Sequence, residues 1–138
     1  AGQALAGVRL ECVSALGRAS AELARLPEAS RALSAGRSAG RLRVGRAVQQ
    51  AFWEALVPAE ASRNKVSREH FEVVFGEGHG QQALLVNRSS YGTLLNGKRI
   101  QGTAPVYPGD IIAVPSVPFG EAEAEPVAAF QLAAGPEP

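Results

Sequence analysis

Ser67 and His70 are the residues whose types and spacing first suggest chemistry, because a serine and a histidine form the nucleophile and general base of many hydrolases. Arg68 lies between them, and an arginine beside a serine hydroxyl is equally suited to holding a phosphate group. A serine just before an apolar run is also a common turn residue. The stretch therefore has three interpretations: half of an active site, one wall of a phosphate cradle, or only the start of a strand.

The catalytic interpretation lacks the partners that it needs. A serine nucleophile requires an orienting carboxylate and an oxyanion hole, and Asp110 is the only aspartate in the chain. No glycine follows Ser67 to make a tight nucleophile elbow. Residues three apart in a strand also point to opposite faces, which separates Ser67 from His70. We therefore expect no catalytic residue and no enzyme activity.

Gly76–Gly80, which reads GEGHG, is similar to a phosphate-gripping glycine loop, but such a loop must be followed by a helix. A strand-like segment follows here, so we expect a hairpin turn instead. Only His70, His79 and Cys12 offer soft metal ligands, and no two of them are closely spaced. We therefore predict no metal site and no cofactor.

Short segments of alternating apolar and polar residues follow one another along the chain, as half-buried strands do. Asn96-Gly97 is the strongest turn signal, because both central positions of a type I′ turn need positive φ. The predicted strands are Val8–Ala15, Arg41–Gly45, His70–Phe75, Gln82–Asn87, Thr93–Leu95, Lys98–Gln101, Ile111–Val114 and Ala128–Ala133, with a possible one at Phe52–Val57. Ser20–Leu26 is open to two helical turns or an ordered loop. The whole pattern predicts an all-β sandwich or barrel.

The totals of the sequence restrict its class. A length of 138 residues and a mass of 14.4 kDa fit one domain. The formal net charge of +1 gives no overall field toward nucleic acid or a membrane surface, and no apolar run approaches the ~20 residues that span a bilayer. Cys12 is the only cysteine and forms no internal disulfide, which favours an intracellular domain. The absence of methionine indicates a piece of a longer protein.

Four short motifs occur in a fixed order along this β-rich chain. They are Gly45-Arg46, Ser67-Arg68-Glu69-His70, Ser90-Tyr91-Gly92-Thr93 and Asn96-Gly97. In this order and spacing the chain resembles the forkhead-associated (FHA) domain family over about residues 8–133. On this comparison residues 1–7 are an N-terminal extension and residues 134–138 a disordered C-terminal end.

The resemblance implies a sandwich of two twisted antiparallel sheets, with at most short helical turns in loops, whose loops at one end bind phosphothreonine peptides. It implies that Arg46 holds the phosphate and that Ser67 donates its hydroxyl to a phosphate oxygen. The positions implied to contact the phosphopeptide are Arg46, Ser67, Arg68, Ser90, Tyr91 and Lys65. The positions implied to keep the loops in shape are Gly45, His70, Gly92, Thr93 and Asn96.

Two features depart from the family pattern. Tyr91 stands where asparagine is usual, and a tyrosine has no amide fork for the peptide main chain. Arg46 and Ser67 are 21 positions apart, which is longer than the usual spacing. We therefore expect the segment Phe52–Asn64 to form an enlarged loop or an extra strand beside the site. Its aromatic pair, Phe52-Trp53, belongs either to the core or to an interaction surface, and the core is favoured.

Two functions follow from these observations. The leading hypothesis is a phosphothreonine-dependent binding module of a larger signalling or regulatory protein. Its partner would be a phosphothreonine-containing protein, and the isolated domain would be monomeric, with no nucleic-acid or membrane partner. The alternative is a divergent FHA-like domain that has lost phosphate readout and serves as a protein assembly surface. Tyr91 and the long insertion favour the alternative.

Overall fold

Two antiparallel sheets and a few short helices make up the computed structural model of the chain. It describes residues 5–76, 78–80, 82–118, 120–121 and 124–135. The strands in these ranges are β1 Gly7–Ala15, β2 Ala32–Gly36, β3 Arg41–Val44, β4 Phe71–Val74, β5 Ala83–Asn87, β6 Thr93–Leu95, β7 Lys98–Ile100, β8 Thr103–Val106, β9 Ile111–Val114 and β10 Ala128–Ala134. The helices are α1 Ser20–Arg25, a 3₁₀ turn Glu28–Ser30, α2 Gln50–Leu56 and α3 Glu60–Arg63.

The two sheets differ in size and share one core. The first has the strand order β2-β1-β10-β9-β6-β7, and the second has the order β3-β4-β5-β8. One cluster of buried side chains joins Leu10 and Phe130 of the first sheet to Phe71 and Leu85 of the second. The predicted all-β sandwich of two antiparallel sheets is therefore confirmed.

Alternation along the strands explains why these segments are extended. In β1 the side chains of Val8 and Leu10 are buried, and in β3 those of Leu42 and Val44 are buried while their neighbours are exposed. A period of two places one such row on the core and the other in solvent. The sequence pattern carried this signal in both strands.

The possible strand at Phe52–Val57 is wrong, because this segment forms the helix α2. Its apolar residues Phe52, Trp53 and Leu56 lie on one side of a helix, and all three are buried. The indole of Trp53 packs edge-on against Phe130, with ring centroids 5.9 Å apart. The insertion is therefore neither an enlarged loop nor an extra strand but a pair of short helices, and its aromatic pair belongs to the core as favoured.

Two strands were not predicted from the sequence pattern, and both lie at sheet edges. β2 is rich in alanine and pairs only with β1, and β8 contains Pro105 and pairs only with β5. Proline has no backbone N–H to donate to a neighbouring strand, so it is tolerated in a strand at the edge of a sheet. Ser20–Leu26, which was open to helix or loop, forms α1 as far as Arg25.

Strand pairing joins β1 to β10, the first and last strands of the described residues. Gly7 begins β1 and accepts a hydrogen bond from the amide of Gly135 at 2.8 Å, so pairing runs slightly beyond the predicted limits of 8–133. Residues 1–4 of the predicted extension and 136–138 of the predicted C-terminal end lie outside the described residues. Within the described ranges, no helix is long and apolar enough to cross a membrane.

Candidate functional site

Three loops meet at one end of the four-stranded sheet because the strand register aligns their ends. Val44, the last residue of β3, pairs with Phe71, the first residue of β4. Phe71 also pairs with Asn87, the last residue of β5. The loops that leave β3, enter β4 and leave β5 therefore start from one row of residues. These loops carry the first three motifs of the sequence.

The Gly45-Arg46 turn is pressed directly against the loop that enters β4. The amide of Arg46 donates to the carbonyl of Ser67 at 2.9 Å, and the Arg46 Nε donates to the carbonyl of Val66 at 3.1 Å. Gly45 is buried, and a Cβ atom there would lie 2.1 Å from the carbonyl oxygen of Arg68. Only a glycine allows the two backbones to approach this closely.

His70 is fully buried and joins two of the three loops. Its Nδ1 accepts a hydrogen bond from the amide of Ser67 at 3.0 Å. Nδ1 therefore carries no proton, so the proton sits on Nε2, which donates to the carbonyl of Gly92 at 2.9 Å. Burial lowers the pKa of His70 to about 4, although the hydrogen bond to Gly92 opposes the shift. The imidazole is thus a neutral cross-link.

This geometry separates His70 from any base catalysis on Ser67. Both ring nitrogens are already bonded to backbone groups, and neither contacts the Ser67 hydroxyl. The hydroxyl oxygen of Ser67 lies instead 2.7 Å from that of Ser89. The arrangement that a nucleophile and its general base require is therefore not formed by this pair.

Ser89 was not among the predicted site residues, yet it organises the hydroxyls of the site. Its side chain is buried, and its Oγ accepts the amide of Tyr91 at 3.1 Å. Either serine can donate in this pair, and donation by Ser89 to Ser67 Oγ would satisfy its own buried proton. In that arrangement the proton of Ser67 is free for another acceptor. A polar residue next to the end of β5 was the only sequence signal for Ser89.

Asn87 and Thr93 hold the Ser89 loop in shape. The Asn87 amide nitrogen donates to the carbonyl of Ser89 at 2.8 Å, and its oxygen accepts the Thr93 hydroxyl at 2.8 Å. Gly92 has a φ of 81°, which favours glycine, and a Cβ there would meet Arg99 and the Ile100 carbonyl at 3.0 Å. Asn87 was also not predicted as a site residue.

Asn96 lies elsewhere, at the β6–β7 turn. Its φ of 50° and the φ of 84° at Gly97 form the expected tight hairpin turn. Its side-chain oxygen accepts the amide of Ile111 at 2.8 Å, and its nitrogen donates to Asp110. Asn96 therefore fixes the hairpin to the start of β9, one strand length away from the three loops.

The remaining predicted contact residues lie around the loop ends with free side chains. Arg68 and Ser90 are exposed, and Lys65 and Tyr91 are half-buried. Among the described residues, none of these four side chains forms a hydrogen bond or an ion pair. The three loops therefore present polar groups that are available to a ligand.

The arginines around the site differ in their pairing. Arg41 and Arg88 both pair with Glu72, at 3.6 and 3.2 Å, on the outer face of the sheet. Within the part of the chain that the structure describes, Arg46 and Arg68 have no carboxylate within 4.0 Å. Their positive charge is therefore not neutralised by the protein, so the loop ends favour an anion. In the same ranges no group of three or more metal-ligating side chains is assembled.

The FHA domain family model matches residues 42–115, which is more than half of the chain and includes all three loops. The chain belongs to the FHA domain family. No curated protein matches the sequence. Among solved structures, FHA folds are similar over nearly the whole chain at low sequence identity, and this likeness supports the fold.

Three of these structures illustrate the likeness. The FHA domain of the CT664 protein from Chlamydia trachomatis has a TM-score of 0.52 and 16% identity, covering 92% of this chain and 96% of that one. The N-terminal FHA domain of S. cerevisiae Rad53p, solved with a phosphothreonine peptide, has a TM-score of 0.53, 22% identity and 93% coverage of both chains. An engineered FHA domain with a Myc-pTBD peptide has a TM-score of 0.57 and 22% identity, covering 95% and 93%.

Gly45→Ala tests the close backbone approach. The added Cβ would clash with Arg68 main-chain atoms, so we expect the free energy of unfolding to fall by about 1–3 kcal/mol. Urea unfolding measures the change. Gly102→Ala is the matched control, because its φ is ordinary and nothing lies within 4 Å of its Cβ position. Equal stability of the two variants would contradict the prediction.

The pH dependence of unfolding tests the neutral state of His70. Its pKa rises from about 4 in the folded chain to 6.5 in the unfolded chain, so the unfolded chain binds more protons between these values. Stability is therefore complete above pH 6.5 and falls as the pH is lowered toward 4, by a limit of about 3 kcal/mol from this group. Urea unfolding of wild type and His70→Gln should show a shallower pH slope in the variant. Identical slopes would refute the assignment.

Proposed function

We propose that this FHA domain is a phosphothreonine-dependent peptide-binding module. The observation that carries the proposal is that Arg46 and Arg68, which pair with no carboxylate of the described residues, lie beside the Ser67 hydroxyl, on a loop that His70 joins to the loop of Gly92. A phosphate carries about −1.5 to −2 charges and three acceptor oxygens at neutral pH. Two guanidinium groups and a hydroxyl complement those oxygens in both charge and hydrogen-bond direction.

Similar structures support the same ligand class. The yeast Rad53p FHA domain was solved with a phosphothreonine peptide, and another similar structure is described as part of a study of phosphothreonine-dependent FHA domain interactions. Both have 20–22% identity to this chain and cover more than nine-tenths of it. Arg46 and Ser67 occupy the family motif positions in this sequence, so we extend phosphothreonine recognition to it.

Each predicted contact residue has a role in this proposal. Arg46 grips the phosphate through its terminal nitrogens, because its Nε is held by Val66. Ser67 donates its hydroxyl, and Arg68 adds a second positive charge from an exposed position. Ser90, beside Ser89, provides a further hydroxyl at the loop mouth.

Tyr91 and Lys65 would contact the peptide rather than the phosphate. Tyr91 lacks the amide that usually pairs with the peptide main chain, so its half-buried ring packs against a peptide side chain instead. Lys65 would reach residues that follow the phosphothreonine. We therefore expect weaker dependence on the peptide backbone and greater dependence on the phosphate than a domain with asparagine would show.

The wider assignment follows from this site. The domain would bind rather than catalyse, and it would recruit a phosphorylated protein to a larger signalling or regulatory protein inside the cell. We propose no nucleic-acid or membrane partner and a monomeric isolated domain. The alternative, an assembly surface without phosphate readout, is favoured by Tyr91 in the asparagine position. Phosphatase treatment of the partner distinguishes the two, since only phosphate readout is abolished by it.

Arg46→Ala tests the proposal directly. We expect it to weaken binding of phosphothreonine peptides by about 10- to 100-fold, because charge-assisted hydrogen bonds are worth roughly 1.5–3 kcal/mol each. Isothermal titration calorimetry with a degenerate phosphothreonine library and its unphosphorylated form measures the loss. Arg41→Ala is the control, because it removes the same charge at the opposite end of β3. Equal binding by both variants would contradict the proposal.

The pairing of the two serines makes a second prediction. Ser89→Ala should weaken phosphopeptide binding severalfold in the wild-type background, because Ser67 then loses the hydroxyl whose donation leaves its own proton free for the phosphate. In a Ser67→Ala background the same change should have little effect on affinity. A double-mutant cycle by calorimetry measures this coupling, with thermal unfolding as the check on folding. Additive losses would show that Ser89 acts on binding independently of Ser67.

A further inference from the structure

A groove of about 460 Å³ lies beside the phosphate site and is built largely by the insertion. It shares Arg46 and Arg68 with the site and adds Glu54 from α2, Glu60 from α3 and Arg63. This volume lies in the range of small-ligand and side-chain pockets. The insertion that supplies most of its lining is longer than the usual family spacing.

The charges in the groove are not satisfied by one another. Among the described residues, Glu54 and Glu60 form no ion pair and no side-chain hydrogen bond, although three arginines line the same groove. The Arg63 guanidinium is instead held by the carbonyls of Val57 and Pro58, both at 2.8 Å. The two carboxylates are therefore available to a ligand, as Arg46 and Arg68 are.

The sign of the charge decides what the groove favours once phosphate is bound. Three arginines and two glutamates give the empty groove a formal charge of +1. A phosphothreonine held by Arg46 and Arg68 brings a charge of about −2 and leaves the groove negative by about one charge. A second anion is then repelled, and a cation beside the phosphothreonine is attracted by Glu54 and Glu60.

We propose that this groove selects phosphothreonine peptides that carry a lysine or arginine close to the phosphorylated residue. Glu54 and Glu60 pair with the basic side chain while Arg46 and Arg68 hold the phosphate. The inference rests on the proposed phosphothreonine binding and adds the sequence preference of the ligand. It assigns the specificity to the helical insertion rather than to the loops that carry the family motifs.

Fluorescence anisotropy with labelled peptides tests the inference. The series has one phosphothreonine flanked by alanines, and Lys or Glu replaces each flanking position in turn. We expect Lys at one or two positions to raise affinity about two- to fivefold, as exposed ion pairs allow, and Glu there to lower it. The Glu54→Gln/Glu60→Gln variant should lose the gain from Lys while still binding the alanine-flanked peptide. Glu28→Gln/Glu121→Gln, with the same change of charge outside the groove, should keep the gain.

The possible outcomes distinguish failure of the groove assignment from failure of the proposed phosphothreonine binding. Binding of the alanine-flanked phosphopeptide without any gain from Lys would overturn the groove assignment and leave phosphothreonine binding intact. A gain that persists in Glu54→Gln/Glu60→Gln, or a preference for Glu, would overturn it equally. Failure of the wild type to bind any phosphopeptide would overturn both. Thermal unfolding confirms that each variant is folded.

Discussion

The buried imidazole of His70 is the contact on which the loop end of this domain depends. It accepts from the Ser67 amide and donates to the Gly92 carbonyl, so one side chain satisfies backbone groups of two loops. A buried backbone group without a partner costs about 1–3 kcal/mol, so both hydrogen bonds of His70 stabilise the loops. They require a neutral ring, because Nδ1 accepts the Ser67 amide only when it carries no proton. The histidine that suggested catalysis instead holds the loops, and this occupies both of its ring nitrogens.

The insertion is fastened to the same point of the structure. The Gln49 side chain accepts the Gly45 amide at 3.0 Å, and the Trp53 indole donates to the Gly45 carbonyl at 3.2 Å. Trp53 is at the same time fully buried against Phe130 in the core. The start of α2 and the turn that carries Arg46 are therefore one unit. This unit lines part of the groove and is held in place, which favours selection of a neighbouring peptide side chain.

Much of this arrangement could be predicted from the sequence, and the gaps have physical causes. Strands with strict alternation, such as β1 and β3, were evident because one face is buried along their whole length. The helix α2 was missed because a short apolar run fits either period, and its burial comes from distant contacts with Phe130. Ser89 was missed because its role depends on a hydroxyl 22 residues away along the chain. The order of the motifs predicted where the loops lie but not which polar group forms a hydrogen bond with which.

Some arginines of this chain pair with carboxylates and others do not, and the composition alone does not show which. Arg41, Arg43 and Arg88 on the outer face of the four-stranded sheet pair with Glu69 and Glu72, which offset two of their three positive charges. Arg46 follows β3 and Arg68 precedes β4 at the loop end, and neither pairs with a carboxylate in the described part of the chain. A net charge of +1 therefore coexists with a local positive site. Because the loops are held by hydrogen bonds that do not involve the terminal nitrogens of Arg46, a ligand can take up these charges without breaking the scaffold.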